Sequence, residues 1–140
     1  MTWVTWAVLS AAFAGVTAVL AKVGVESVDS NLATAIRTTV ILAFTWAIAW
    51  AASPGPIAIP GRRSLAFLAL SGVATGLSWL CYFRALQLGE ASRVAPIDKL
   101  SVVFAIVLAG LFLRERLSWQ HLVGGTLIVA GSLIIAWKAR

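Results

Sequence analysis

Charge is scarce in this sequence: Asp, Glu, Lys and Arg make up 11% of its 140 residues, and only five of these are acidic. A soluble domain keeps most of its surface in water and carries roughly twice that share of charge. With 61% hydrophobic residues, little chain is left outside the apolar runs for a separate soluble domain. The composition is that of an integral membrane protein. Cysteine is nearly absent. Cys81 stands alone, so an internal disulfide and a CxxC metal site are both excluded, and its apolar neighbours make it a small packing residue. The one histidine, His121, has no second ligand in view. A Gly-rich phosphate loop is missing, and the serines lack a base partner. No enzyme, metal or cofactor is expected. The net charge of +6 does not point to nucleic acid, because the bases sit singly or in pairs at the ends of apolar runs without a basic, aromatic-studded stripe.

What is present is a series of five apolar segments, each near the roughly 20 residues that cross a hydrocarbon core of about 30 Å. They run over 3–21, 32–52, 64–86, 94–113 and 119–137. The first lacks a basic leader and a small-x-small cleavage site, and is expected to be a retained helix. Asp29, Ser30 or Asn31 can cap the second helix. Pro54, Gly55, Pro56, Pro60 and Gly61 make the stretch from Ser53 to Arg63 a loop. Gly89 reads as a helix C-cap and Ser92 as an N-cap. Pro96 is placed in the first turn of helix four, where no internal N–H is needed. The apolar residues are continuous rather than alternating, which in lipid requires helices. The expected fold is an all-α membrane protein, a single domain over 1–140 forming a five-helix transmembrane bundle.

An odd number of spans puts the termini on opposite sides, here called side one (N-terminal) and side two. Side one holds Arg62, Arg63, Arg114 and Arg116, and side two holds Lys22, Arg93, Lys138 and Arg140: four against four. Orientation normally follows an excess of Lys and Arg in cytoplasmic loops. Either the deeper bases Arg37, Arg84 and Lys99 break the tie in favour of side two, or the chain inserts both ways round.

Those deeper charges fall toward side two, together with Lys22, Asp29 and Asp98, whereas Trp3, Trp6, Trp46, Trp50 and Trp119 fall toward side one as an interfacial belt. Long basic stems can snorkel to the headgroups. Arg37 and Arg84 are the candidates for facing a water-filled cavity. Asp98 is the one carboxylate inside a run. Adjacent helical residues do not face each other, so Lys99 is a poor partner for it, and pairing across helices with Arg37 or Arg84 is expected. Trp79, Tyr82 and Phe83 share a helix face beside Arg84, either lining a pocket for an organic solute or simply packing. Arg37, Trp79, Tyr82, Arg84, Asp98 and Lys99 are the substrate-binding or coupling candidates. Gly72 and Gly76, Gly124 and Gly131, and Ala11 with Gly15 form small-residue faces for close helix packing, with helix five as the contact between protomers.

Four stretches, TAVLAKVGVESVDSNLATAIRT (17–38), GLSWLCYFRALQLG (76–89), RVAPIDKLSVVF (93–104) and LRERLSWQHLVGGTLIVAG (113–131), resemble the EamA-like domain of the drug/metabolite transporter superfamily, in its short five-helix bacterial form. The resemblance implies five transmembrane helices per domain, half of a ten-helix inverted-repeat architecture, and passage of small organic solutes through the bacterial inner membrane. A lone copy then needs an upside-down second copy, an antiparallel homodimer, or a partner from another chain. The resemblance also carries Lys22, Arg37, Arg84, Asp98, Lys99 and Glu115 over as motif positions. Four-helix multidrug relatives depend on a carboxylate in helix one, which is missing here, so an anionic or zwitterionic substrate fits better than a cationic drug. A non-transporting membrane subunit and a handler of anionic lipid headgroups are the competing functions.

Overall fold

The computed structural model describes residues 2–53, 55 and 60–137. Its helices are α1 (Trp3–Gly24), α2 (Ser30–Ala52), α3 (Arg62–Leu88), α4 (Ala91–Asp98), α5 (Ser101–Phe112) and α6 (Trp119–Ala136). Five spans are long and apolar enough to cross a membrane, α4 and α5 together making one of 22 residues. The fold is all-helical. The Pro-rich loop and the tail beyond Trp137 lie mostly outside the described residues. Two compact units partition the chain: residues 1–22 with 88–140, and residues 23–87.

Lipid explains the surface. Leu77, Phe104, Leu127 and Ile134 are each more than 60% exposed, a display that water would not tolerate along whole helices but that hydrocarbon accepts. In α1, α2 and α3 burial is confined to one end: Ala18 and Ala21 late in α1, Ser30 and Thr34 early in α2, Phe83 and Leu86 late in α3. These are the side-two ends. The tryptophans expected on side one are exposed, with the rings of Trp46 and Trp50 tilted at 42° and their centroids 5.8 Å apart.

Local chemistry sets the helix ends. Asp29 Oδ1 accepts from the Asn31 and Leu32 N–H groups at 2.9 and 3.2 Å, capping α2. Asp29→Ala should lower stability by about 0.5–2 kcal/mol, read from thermal unfolding in detergent. Ser118 N–H donates to His121 Nδ1 at 3.1 Å at the start of α6, which requires the imidazole to carry its proton on Nε2. The histidine with no evident ligand is thus part of a helix cap. Arg114 is left-handed, φ 54°, a conformation that costs a non-glycine residue about 1–2 kcal/mol. It turns the chain out of α5, and Glu115 N–H folds back to the Ala109 carbonyl at 3.3 Å.

The fourth span departs from expectation. Its helix begins at Ala91 with Glu90 rather than Ser92 as N-cap, which puts Pro96 inside the helix and not in its first turn. Gly89 does not take a left-handed cap conformation, and its carbonyl accepts from Lys22 Nζ at 3.0 Å. The span is also interrupted. From Lys99 to Val103 the backbone tightens to three-residue bonds, Leu100 N–H to Ile97 O and Val102 N–H to Lys99 O, both at 3.0 Å. The Pro96 carbonyl therefore loses its ordinary partner four residues on. Ser132 Oγ on α6 supplies one at 2.8 Å, and Ser132 is itself buried. An irregular backbone at membrane depth survives only where protein satisfies it. Because Lys99 N–H also reaches Pro96 O, at 3.1 Å, Ser132→Ala should cost only about 0.5–1.5 kcal/mol in the same unfolding measurement.

Candidate functional site

In the unit spanning 23–87, the aromatic face of α3 does meet a guanidinium, but that of Arg37 instead of Arg84. Arg37 Cζ lies 4.1 Å from the centroid of Trp79 and 5.6 Å from that of Phe83. Tyr82 sets its ring edge-on to Phe83, centroids 6.4 Å apart. Trp79 and Phe83 are one helical turn apart, so both rings can reach one guanidinium, whereas Arg84 is rotated about 100° further round the helix. The contact is electrostatic, a cation over the negative face of each ring.

Arg84 has a different task. Its Nη1 donates to Gln87 Oε1 at 2.9 Å, and Gln87 Nε2 donates to the Val28 carbonyl at 2.7 Å and, more weakly, to that of Val25 at 3.4 Å. The relay fastens the end of α3 to the link between α1 and α2. Gln87 does not stand out in the sequence because a polar residue at the end of an apolar run reads as the start of a turn. Only the carbonyls left unpaired by the five-residue link show why an amide belongs there.

Along α2 in the same unit runs an open groove of about 390 Å³, lined among others by Asn31, Thr34, Thr38, Gly76 and Leu80. Thr34 and Thr38 spend their hydroxyl protons on the Ser30 and Thr34 carbonyls, each at 2.8 Å. The groove wall is thereby left mostly apolar. Gly76 opens onto this groove, with no atom within 4 Å of where a Cβ would stand. Gly72 is equally open.

In the other unit, Asp98 is paired with the neighbour that helical spacing disfavoured. Lys99 Nζ stands 3.9 Å from Asp98 Oδ2, both side chains partly exposed. The tightened backbone at Lys99 changes the angular step between the two residues, which allows their heads to meet. Arg93 and Glu90 pair at 3.0 Å at the start of α4. Gly124 and Gly131 have nothing within 4 Å of a built Cβ. The close approach of α6 to α5 falls instead at Gly125, where Val103 Cγ2 is 4.0 Å away.

Comparison with known proteins bears on these arrangements. The EamA-like transporter family matches residues 1–137. An uncharacterized transporter in the cobO 3' region of a Sinorhizobium species is 55% identical over 136 residues, which are 96% of this chain and 96% of that one. A probable terminal-alkyne amino-acid exporter of Streptantibioticus cattleyicolor is 33% identical over 140 residues, and there the match takes up 97% of this chain but 42% of the exporter. A probable 4-amino-4-deoxy-L-arabinose-phosphoundecaprenol flippase subunit, ArnF, of Erwinia tasmaniensis is 40% identical over 77 residues, 53% of this chain and 60% of that one. No solved structure matches. Five apolar spans, a domain match along nearly the whole chain and relatives named for transport make this a multi-pass bacterial membrane protein belonging to the EamA-like transporter family.

Proposed function

We propose that this chain is half of a secondary transporter, moving small organic metabolites across the bacterial inner membrane by alternating access as an antiparallel homodimer. It is not an enzyme in this reading, and its solutes are anionic or zwitterionic. The observation that carries the proposal is the four-against-four balance of basic residues between the two sides. The match takes up 96% of one uncharacterized transporter and 42% of a probable terminal-alkyne amino-acid exporter. In this reading the balanced arginines and lysines of the two sides let a second copy insert upside down. The open glycines Gly72, Gly76, Gly124 and Gly131 are the surfaces such a copy can approach closely.

The test is sidedness combined with proximity. In a Cys81→Ser background, single cysteines replace Ser27 and Gln120, which lie at opposite ends of the spans. A membrane-impermeant maleimide added to intact cells should label each on about half of the molecules. A cysteine at Gly124 should then cross-link copies of opposite orientation. One-sided labelling ends the antiparallel reading. It would leave the second one, a membrane subunit serving another protein, which the likeness to a flippase subunit favours.

A further inference from the structure

Arg37 is at membrane depth and stays there. It lies four residues before Ile41, the middle of α2 (Ser30–Ala52), hence about 6 Å from that midpoint along the axis. Trp79 lies four residues past Thr75, the middle of α3 (Arg62–Leu88), about 6 Å from its own midpoint. The guanidinium is closer to Trp79 than to Phe83, the ring nearer the helix end. It therefore leans on the deeper ring and does not extend along α3 toward the headgroups.

A cation held at that depth has a cost that its aromatic neighbours only partly offset. An arginine in the centre of a span costs about 2.5–3.5 kcal/mol on insertion scales. A cation–π contact returns about 0.5–2 kcal/mol. A cation–π contact also supplies no lone-pair acceptor for the five N–H donors of the guanidinium. Arg37 interacts electrostatically with Tyr82 and is in neither ion pair formed among the described residues, Arg93–Glu90 and Lys99–Asp98. Arg84, by contrast, is engaged by Gln87. The arrangement is one positive charge with no carboxylate partner among the described residues, held against the rings of Trp79 and Phe83 and beside Tyr82.

We propose that Arg37, laid on Trp79 and Phe83, anchors the carboxylate of a small solute with an apolar body. A planar carboxylate matches the guanidinium edge with two parallel hydrogen bonds. One guanidinium balances one negative charge, which favours a monocarboxylate over a phosphate monoester. Once bound, the solute neutralises the arginine and lays its apolar part against the rings. The inference rests on the transporter reading and narrows its substrate class.

The experiment uses purified full-length protein in phosphatidylcholine nanodiscs, with hexanoate, hexanamide and hexyl phosphate as probes and calorimetric titration as the readout. Hexanoate should bind, hexanamide should not, and hexyl phosphate should bind no more tightly than hexanoate. Arg37→Gln should weaken hexanoate binding by about tenfold to a hundredfold, the range expected for hydrogen bonds to a charged group. Should that variant not fold, Trp79→Leu, which keeps the charge and removes its main support, should weaken binding in the same direction. The anchor is overturned if the wild-type protein does not bind hexanoate, if hexanamide binds equally, if hexyl phosphate binds more tightly, or if neither substitution changes affinity. Two-sided maleimide labelling without hexanoate binding overturns the anchor alone. One-sided labelling with hexanoate binding intact overturns the antiparallel pair alone.

Discussion

Chains biased toward a single orientation should stop pairing, and chains biased in opposite senses should pair again when made together. Gly61→Arg with Gln120→Arg raises side one from four basic residues to six, and Glu26→Lys with Ser27→Arg does the same for side two. All four positions are exposed, so the substitutions act on insertion and leave packing alone. A bias of about tenfold between orientations, equivalent to about 1.4 kcal/mol, leaves roughly one chain in ten to serve as the upside-down partner. The cross-link through a cysteine at Gly124 should fall about in proportion for either variant alone. Co-expression of the two should restore it. A yield that stays unchanged in the single variants rules out the antiparallel pair.

The largest loss of stability is expected from Leu86→Ala. Leu86 is 0% exposed in a chain whose fully packed apolar residues are few. Lipid supplies no hydrophobic drive for one helix to meet another, so truncation removes van der Waals attraction that no other residue replaces. A cost of about 2–5 kcal/mol is expected, the range for cavity-forming substitutions at packed sites. Leu77→Ala, on the same helix and 61% exposed, is the matched control and should change stability by no more than about 0.5 kcal/mol. Unfolding in mixed micelles of increasing denaturing detergent measures both.

The spans are legible in the sequence because lipid imposes one requirement, a continuous apolar stretch of fixed length, that needs no knowledge of neighbours. Their ends are less so. α1 runs on to Gly24 and α3 starts at Arg62, because polar residues that read as loop can still complete a turn at the headgroup level. The start and the interruption of the fourth span go astray together. Once Glu90 caps the helix, Pro96 moves from a harmless first-turn position to one that disturbs the ladder, and nothing near Pro96 in sequence announces the cap. Arg37 and the aromatic trio on α3 both stand out, but assigning the rings to Arg84 follows from adjacency in sequence. The Arg37–Trp79 contact depends on how α2 and α3 cross, which a periodicity cannot supply. The glycine faces are visible too. Which of them meets a neighbour is not, since Gly125 and not Gly124 carries the contact within the chain.

The hydroxyl of Ser132 reaches back 36 residues to the carbonyl of Pro96, and this separation sets a schedule for biogenesis. At about 5–20 residues per second of synthesis, the interrupted segment is made some seconds before its donor Ser132. During that interval the Pro96 carbonyl has, among the described residues, only the Lys99 N–H as a partner. The tie between the fourth span and α6 is therefore a late one, closed only after synthesis has passed Ser132.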